Sequence, residues 1–301
     1  LAVYHESART SGGRLRSGVY DMYMRTAVLE GYMLEMDQIS SATRLFPRGD
    51  VPYLYGSFFM QYLAERFGEE KLTRISHIYG GSPIPYALNR TAKKVLGHTY
   101  LTLYQDFKKH LRRRYTLQHA AVKARGATSF ARVTDYGESC GSPRFSRDGS
   151  ELVFVGTDGR SMTSMKVLDV ATRKVKERYD VWGSAGVAFT PDARDLVAGQ
   201  AATWRSFYSY HDLFVRDRRT GVQRRLTHGL RARDPSVSPD GARVAFVTND
   251  LGSMSLNVMP LDGGKHRVLH QGKSSDQIYT PRWSPDGKQL VYSRWRHGGN
   301  R

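Results

Sequence analysis

The stretch that decides the fold is TPRWSPDGKQLVYS, residues 280–293. It repeats as SPRFSRDGSELVFV at 142–155, VAFTPDARDLVAG at 187–199 and DPSVSPDGARVAFV at 234–247. In this motif Pro presets φ, Asp accepts hydrogen bonds from nearby backbone N–H groups, and Gly supplies a positive φ before an apolar strand. A period in the forties, with several short strands per unit, indicates β-propeller blades.

Four equivalent aspartates mark the repeats: Asp148, Asp192, Asp240 and Asp286. Four carboxylates at regular spacing also suggest metal ligands. Because each one belongs to a different repeat, we interpret them as structural turn residues. The motif is complete in two copies, whereas Arg147 replaces Pro in the first, and Thr190 and Ala193 replace Ser and Gly in the second.

The first 126 residues have a different period, with apolar side chains at helical spacing. The sequence predicts helices near 19–36, 53–80 and 88–97 and a longer one over 99–124, with a loop at 47–52. The expected fold class is therefore multidomain α + β. A helical domain at 1–126 precedes a partial propeller of about four blades at 127–301.

The net charge of +18 and the pI near 10.0 favour contact with anions. The densest basic cluster is Lys108, Lys109, Arg112, Arg113 and Arg114. Its position near the end of a predicted helix favours a solvated helix end whose charges complement the helix dipole, with weak polyanion binding as the alternative. The sequence has no zinc-finger, RNA-binding or helix-turn-helix signature, so specific nucleic-acid binding is not expected.

Cys140 is the single cysteine, which excludes an internal disulfide and a cysteine-based zinc site. It precedes a predicted strand, and we expect a structural role rather than a nucleophile. No apolar run approaches the roughly 18 residues of a membrane span, and no signal peptide is visible.

The blades resemble the TolB-type, WD-like propeller repeat, in which a Pro and an aromatic residue precede Ser-Pro-Asp-Gly. The resemblance covers about residues 135–301. It implies that the propeller binds a protein or peptide partner and that the protein is exported to the periplasm or cell envelope. Such propellers usually close with about six to eight blades, so we expect the C-terminus to be truncated.

Two stretches of the first half, LAVYHES at 1–7 and PYLYGSFFMQYLAERFG at 52–68, resemble the later part of a gluzincin, peptidase-MA-like catalytic domain. Tyr53 and Gly56 match its Tyr-x-x-Gly segment, and the resemblance implies that Tyr53 stabilises an oxyanion. The sequence has no His-Glu-x-x-His, so the zinc ligands would precede Leu1 and this chain alone would hold no metal and be inactive. His5 and Glu6 are then incidental.

The first functional hypothesis is a fragment of an exported zinc-metallopeptidase-like protein whose propeller binds a protein or polymer. The alternative is a non-enzymatic envelope scaffold with a degenerate peptidase-like domain. A serine hydrolase following the propeller ranks below both, because the sequence has no Gly-x-Ser-x-Gly elbow.

Overall fold

The computed structural model describes residues 1–40, 43–83, 85–134, 139–184, 186–250, 252–273, 276–296 and 299–300. The chain divides into two compact units, Leu1–Phe130 and Ala131–Arg301. The first unit contains helices and the second contains antiparallel sheets. The described residues include no helix that is both long enough and apolar enough to span a bilayer.

The first unit is built from seven α-helices among its described residues, with short 3₁₀ turns at Arg14–Arg16 and Arg48–Asp50. The helices are α1 Ala2–Ala8, α2 Gly18–Leu29, α3 Met36–Ile39, α4 Val51–Phe67, α5 Glu69–Gly80, α6 Leu88–Leu96 and α7 Tyr100–Ala124. Phe59 of α4 packs on Tyr104 and Phe107 of α7, with ring centroids 5.5 and 5.4 Å apart. The buried aromatic faces predicted for these two helices therefore form the core of this unit.

Three local predictions in the helical half were wrong. The helix predicted over 19–36 ends at Leu29, because the chain turns at Gly31 with φ +79°. The loop predicted over 47–52 is shorter, since α4 begins at Val51 and Pro52 occupies its first turn, where no backbone N–H is needed. The basic cluster lies in the middle of α7, which continues to Ala124, so its charges do not complement a helix end.

The described residues of the second unit form four sheets whose neighbouring strands are all antiparallel and consecutive in sequence. The first sheet consists of β1 Ser139–Phe145, β2 Glu151–Thr157, β3 Ser164–Asp169 and β4 Lys174–Asp180. The second sheet consists of β5 Val187–Phe189, β6 Asp195–Trp204, β7 Tyr208–Asp217 and β8 Gln223–Arg225. The third sheet consists of β9 Arg233–Val237, β10 Arg243–Asp250, β11 Ser253–Pro260 and β12 Arg267–Gln271. The fourth sheet consists of β13 Gln277–Trp283, β14 Leu290–Arg296 and β15 Gly299–Asn300.

Each sheet packs against the next through buried apolar side chains. Val153 of the first sheet and Leu196 of the second share one cluster, and Leu213 and Phe246 join the second sheet to the third. Ile278 of the fourth sheet packs in a further cluster with residues of the third. Sheets stacked face to face in chain order are the arrangement of propeller blades, and the prediction of about four propeller-like sheets after a helical part is confirmed.

Candidate functional site

The four repeated turns share one hydrogen-bond pattern. In the first sheet, Ser146 Oγ donates to Asp148 Oδ1 at 2.6 Å, and the same oxygen accepts the Ser150 N–H at 3.1 Å. Thr190 replaces the serine in the second sheet and donates to Asp192 Oδ1 at 2.7 Å. The pattern recurs in the other two sheets, with Ser238 and Ser284 donating to Asp240 and Asp286.

These hydrogen bonds stabilise the ionised carboxylates. The Ser146 hydroxyl and the Ser150 backbone N–H together lower the pKa of Asp148 to about 2. The hydroxyl and backbone donors also lower the pKa values of Asp192, Asp240 and Asp286. Each carboxylate accepts two hydrogen bonds through Oδ1 within its own turn, which is the role of a turn residue.

In every sheet, a residue with positive φ lies within the first strand or directly before it. Ser142, Asp234 and Thr280 have φ of 53°, 53° and 49°, and Gly186 at the equivalent position has φ 92°. The pairing of β1 and β13 shifts register beside this residue, which is the mark of a β-bulge. Asp234 Oδ2 accepts the backbone N–H of Thr280 at 3.2 Å, linking the third sheet to the fourth.

Arginines follow or precede these bulges on three of the first strands: Arg144, Arg233 and Arg282. Burial lowers the pKa of the Arg144 guanidinium, while the nearby Asp234 carboxylate opposes that change. Arg233 Nε lies 3.6 Å from Asp234 Oδ2, beyond hydrogen-bond distance. The Nε atoms of Arg144 and Arg233 are buried and have no hydrogen-bond partner among the described residues.

We call Arg144, Arg233, Arg282 and Asp234 the inner-strand cluster. Arg144 and Arg233 lie near the Asp234 carboxylate, and each keeps a buried Nε that makes no hydrogen bond in the described residues. Arg282 occupies on the fourth sheet the sequence position that Arg144 has on the first. The sequence predictions missed this cluster, because each arginine belongs to a different repeat and nothing in its local sequence separates it from a surface arginine. The only available signal was the shared position of these residues beside the repeated Pro.

Tyr53, the residue matched to an oxyanion stabiliser, lies in the first turn of α4 and is 48% exposed. The Arg14 guanidinium covers its ring, 4.9 Å from the centroid. The described part of the chain contains no group of three or more His, Cys, Asp or Glu side chains that could hold a metal ion. The catalytic role of Tyr53 stays a prediction that rests on the resemblance.

The structure divides the basic cluster of α7. Lys108 pairs with Glu35 at 2.6 Å, and Arg114 lies 3.8 Å from Asp21. Lys109 and Arg112 are exposed and line a cavity of about 380 Å³ beside Lys108, with Val28 and Met33 also in its wall. Arg113 is also exposed, but it does not line that cavity.

Three stacked four-stranded sheets, a fourth sheet with three described strands, and their repeated turns define the second unit as a β-propeller type of structure. Residues 91–301 match the TolB beta propeller domain family, and the chain belongs to that family. The match begins within α6, ahead of the first strand.

Curated relatives carry the same family name. The chain is 25% identical over 217 residues to the Tol-Pal system protein TolB of Francisella tularensis subsp. holarctica, a match that covers 57% of this chain and 48% of the relative. It is 31% identical over 129 residues to the TolB homolog of Chlorobium luteolum, covering 42% and 28% of the two chains. This chain thus spans about half the length of the first of these relatives.

Among solved structures, TolB from Acinetobacter baumannii is similar at 19% identity, with a TM-score of 0.44 over 54% of this chain and 39% of that one. The TolB-type propeller predicted from the repeats is confirmed by the family match. None of these comparisons supports the gluzincin part of the prediction.

Proposed function

We propose that the propeller binds a protein partner in the cell envelope and that the inner-strand cluster contacts an acidic segment of that partner. The observation that carries the proposal is the set of three arginines on the first strands of a TolB-family propeller. Two of them, Arg144 and Arg233, have a buried Nε with no hydrogen-bond partner in the described residues. The envelope location is supported by the names of the relatives, which belong to a Tol-Pal system.

The chemistry of the cluster favours a carboxylate-bearing ligand. Arginine presents several N–H donors in a fixed geometry that matches a carboxylate, and it is enriched at the energetically dominant positions of interfaces. Asp234 is already engaged by the Thr280 N–H and does not meet every guanidinium donor around it. An acidic side chain of a partner would satisfy the remaining donors, and the net charge of +18 would attract an acidic segment at long range.

Binding to the Tol and Pal proteins of the same organism, measured by biolayer interferometry on the full chain, tests this proposal. We expect saturable binding that weakens at least about tenfold in the double variant Arg144→Gln, Arg282→Gln. Arg160→Gln with Arg173→Gln removes the same charge from exposed turns of the first sheet and should leave Kd within about twofold. An equal loss of affinity in both double variants would show a non-specific charge effect and contradict the proposal.

The zinc-metallopeptidase hypothesis stays a prediction, as does the non-enzymatic scaffold that is its alternative. The peptidase hypothesis rests on the resemblance of residues 1–7 and 52–68, which lie outside the family match. Zinc content of the longest natural form of the protein, measured by mass spectrometry, distinguishes the two. One zinc per chain, lost together with peptide hydrolysis on chelation, supports the peptidase, whereas a metal-free protein supports the scaffold.

A further inference from the structure

A polar cavity of about 470 Å³ lies between the second and third sheets. This volume falls within the range of small-molecule sites. Amide and hydroxyl side chains from β10, β11 and β12 form most of its polar wall, and Tyr210 and Arg231 close it from the second sheet and the loop after β8. The side chains that matter most to its chemistry are Tyr210, Arg231, Asn249, Asp250, Asn257 and Gln271.

Asn257 provides the clearest indication that a ligand binds there. Its side chain is 1% exposed, and its Nδ2 donates to Thr248 Oγ1 at 3.0 Å and to the Ser255 carbonyl at 3.1 Å. Its Oδ1 is buried and has no hydrogen-bond partner within the described residues. A buried acceptor without a donor costs about 1–3 kcal/mol, so a hydroxyl or amide N–H of a ligand would be favoured at this atom.

Further polar groups surround this acceptor. Gln271 is exposed and accepts the Ser255 Oγ–H at 3.0 Å, which leaves its amide NH₂ directed to weak contacts of 3.4 Å with Ser253 Oγ and the Gly272 carbonyl. Asn249 and Asp250 are exposed at the end of β10. These groups offer both donors and acceptors to a ligand that carries several hydroxyls.

The Tyr210 side chain of the second sheet contributes to the other wall. Tyr210 is covered on one side by the Arg231 guanidinium, 4.4 Å from the ring centroid, and its hydroxyl accepts from Arg231 Nη2 at 2.9 Å. Tyr208 stacks beside it with centroids 5.7 Å apart, and Phe207 meets Tyr208 edge to face. The Arg231 charge is thus already used within the protein, and the Tyr210 ring provides apolar surface beside the polar wall.

We propose that this cavity binds a neutral oligosaccharide. A sugar ring carries hydroxyls that both donate and accept, which matches the amides, Asp250 and the unpartnered Asn257 Oδ1, and its C–H groups would contact the partly exposed Tyr210 ring. A protein partner would instead need a large apolar or arginine anchor in a dry pocket, and this wall is mostly amide and hydroxyl. None of the four residues of the inner-strand cluster lines this cavity.

Isothermal titration of the full chain with chitotriose and with cellotriose tests the proposal. The two trisaccharides share a β-1,4 backbone, and only chitotriose carries acetamido groups. We expect at least one of them to bind with a Kd in the millimolar range or below. Asn257→Leu, which keeps the number and branching of the side-chain heavy atoms, and Gln271→Ala should each weaken that binding by at least about tenfold.

Gln289→Ala is the matched control, because it removes an exposed amide outside the cavity and should leave Kd unchanged. Circular dichroism of each variant checks that the fold is retained, and the exposed Gln271 provides a result even if Asn257→Leu is unstable. Absence of binding by both sugars, or equal affinity of the natural chain and the Gln271→Ala variant, would overturn the proposal. Binding of the Tol and Pal proteins should be unaffected by Gln271→Ala, which separates failure here from failure of the protein-binding proposal.

Discussion

At the scale of single residues, the turn motif could be predicted from sequence because its chemistry is local. Ser146, Asp148 and Ser150 are close in sequence, and their hydrogen bonds need no other part of the chain. The positive φ of Asp234 was not predictable in the same way, because a non-glycine residue adopts it only where its surroundings compensate. Its carboxylate bonds to Thr280 in the next sheet, a contact that depends on the assembled fold.

Asp148→Asn should weaken the first turn and remove part of the acid sensitivity of the fold. The folded pKa of Asp148 is about 2, below its ordinary value of 3.8, so ionisation favours the folded state. This stabilisation is complete above about pH 4 and is lost as the pH falls through 2. Urea unfolding between pH 2 and pH 6 should therefore show a shallower pH dependence in Asp148→Asn, and identical profiles would contradict this assignment. Asp180→Asn, an exposed carboxylate at the end of β4, is the control.

At the scale of elements, an arginine links the second sheet to the first through hydrogen bonds and ion pairs. Arg218, which follows β7, donates to Glu177 Oε1 at 2.6 Å and to the Ala193 carbonyl at 2.5 Å, and it lies 2.8 Å from Glu151 Oε2. The side chains of Arg218 and Glu151 are each only 12% exposed. Hydrogen bonding to Glu177 raises the pKa of Arg218, so the guanidinium stays charged under all ordinary conditions.

Arg218→Met should destabilise the second unit by about 3 kcal/mol, the lower end of the range for breaking a buried ion pair. The value is at the lower end because Glu151 keeps its partner Lys176 at 2.9 Å. Chemical denaturation followed by tryptophan fluorescence measures it. The adjacent, exposed Arg219→Met should change the free energy of unfolding by no more than about 0.5 kcal/mol. A similar decrease in the free energy of unfolding in both variants would show that the contacts of Arg218 with the first sheet contribute little to stability.

The cavity beside α7 makes a separate prediction about anion binding. Because Lys109 and Arg112 are exposed and line the same cavity, Lys109→Gln with Arg112→Gln should lower the salt concentration at which the chain elutes from heparin. Arg90→Gln with Lys94→Gln removes the same charge from exposed positions of α6 and serves as the control. If the two double variants elute together, the net charge rather than this cavity governs polyanion binding.

At the scale of the whole molecule, the sequence was most informative where a pattern repeats. The propeller followed from four copies of one motif, because repetition distinguishes a structural signal from chance similarity. The helical half has no repeat. Its observed helix ends differ from the predicted ones where a single residue sets the boundary, as at Gly31 and Pro52. The oligosaccharide cavity combines residues such as Tyr210 and Asn257 from different sheets, and no local pattern could have assembled them.

The two units have separate cores, and this predicts where destabilising substitutions act. Phe107 and Phe246 are fully buried, one in the helical core and the other between the second and third sheets. Replacing either by alanine should cost about 3–5 kcal/mol through lost burial and a residual cavity. Hydrogen exchange measured by mass spectrometry should show the larger loss of protection in the helices for Phe107→Ala and in the sheets for Phe246→Ala. Phe130→Ala, at a position 95% exposed, should leave protection unchanged. Loss of protection mainly in the sheets after Phe107→Ala would contradict the assignment of that side chain to the helical core.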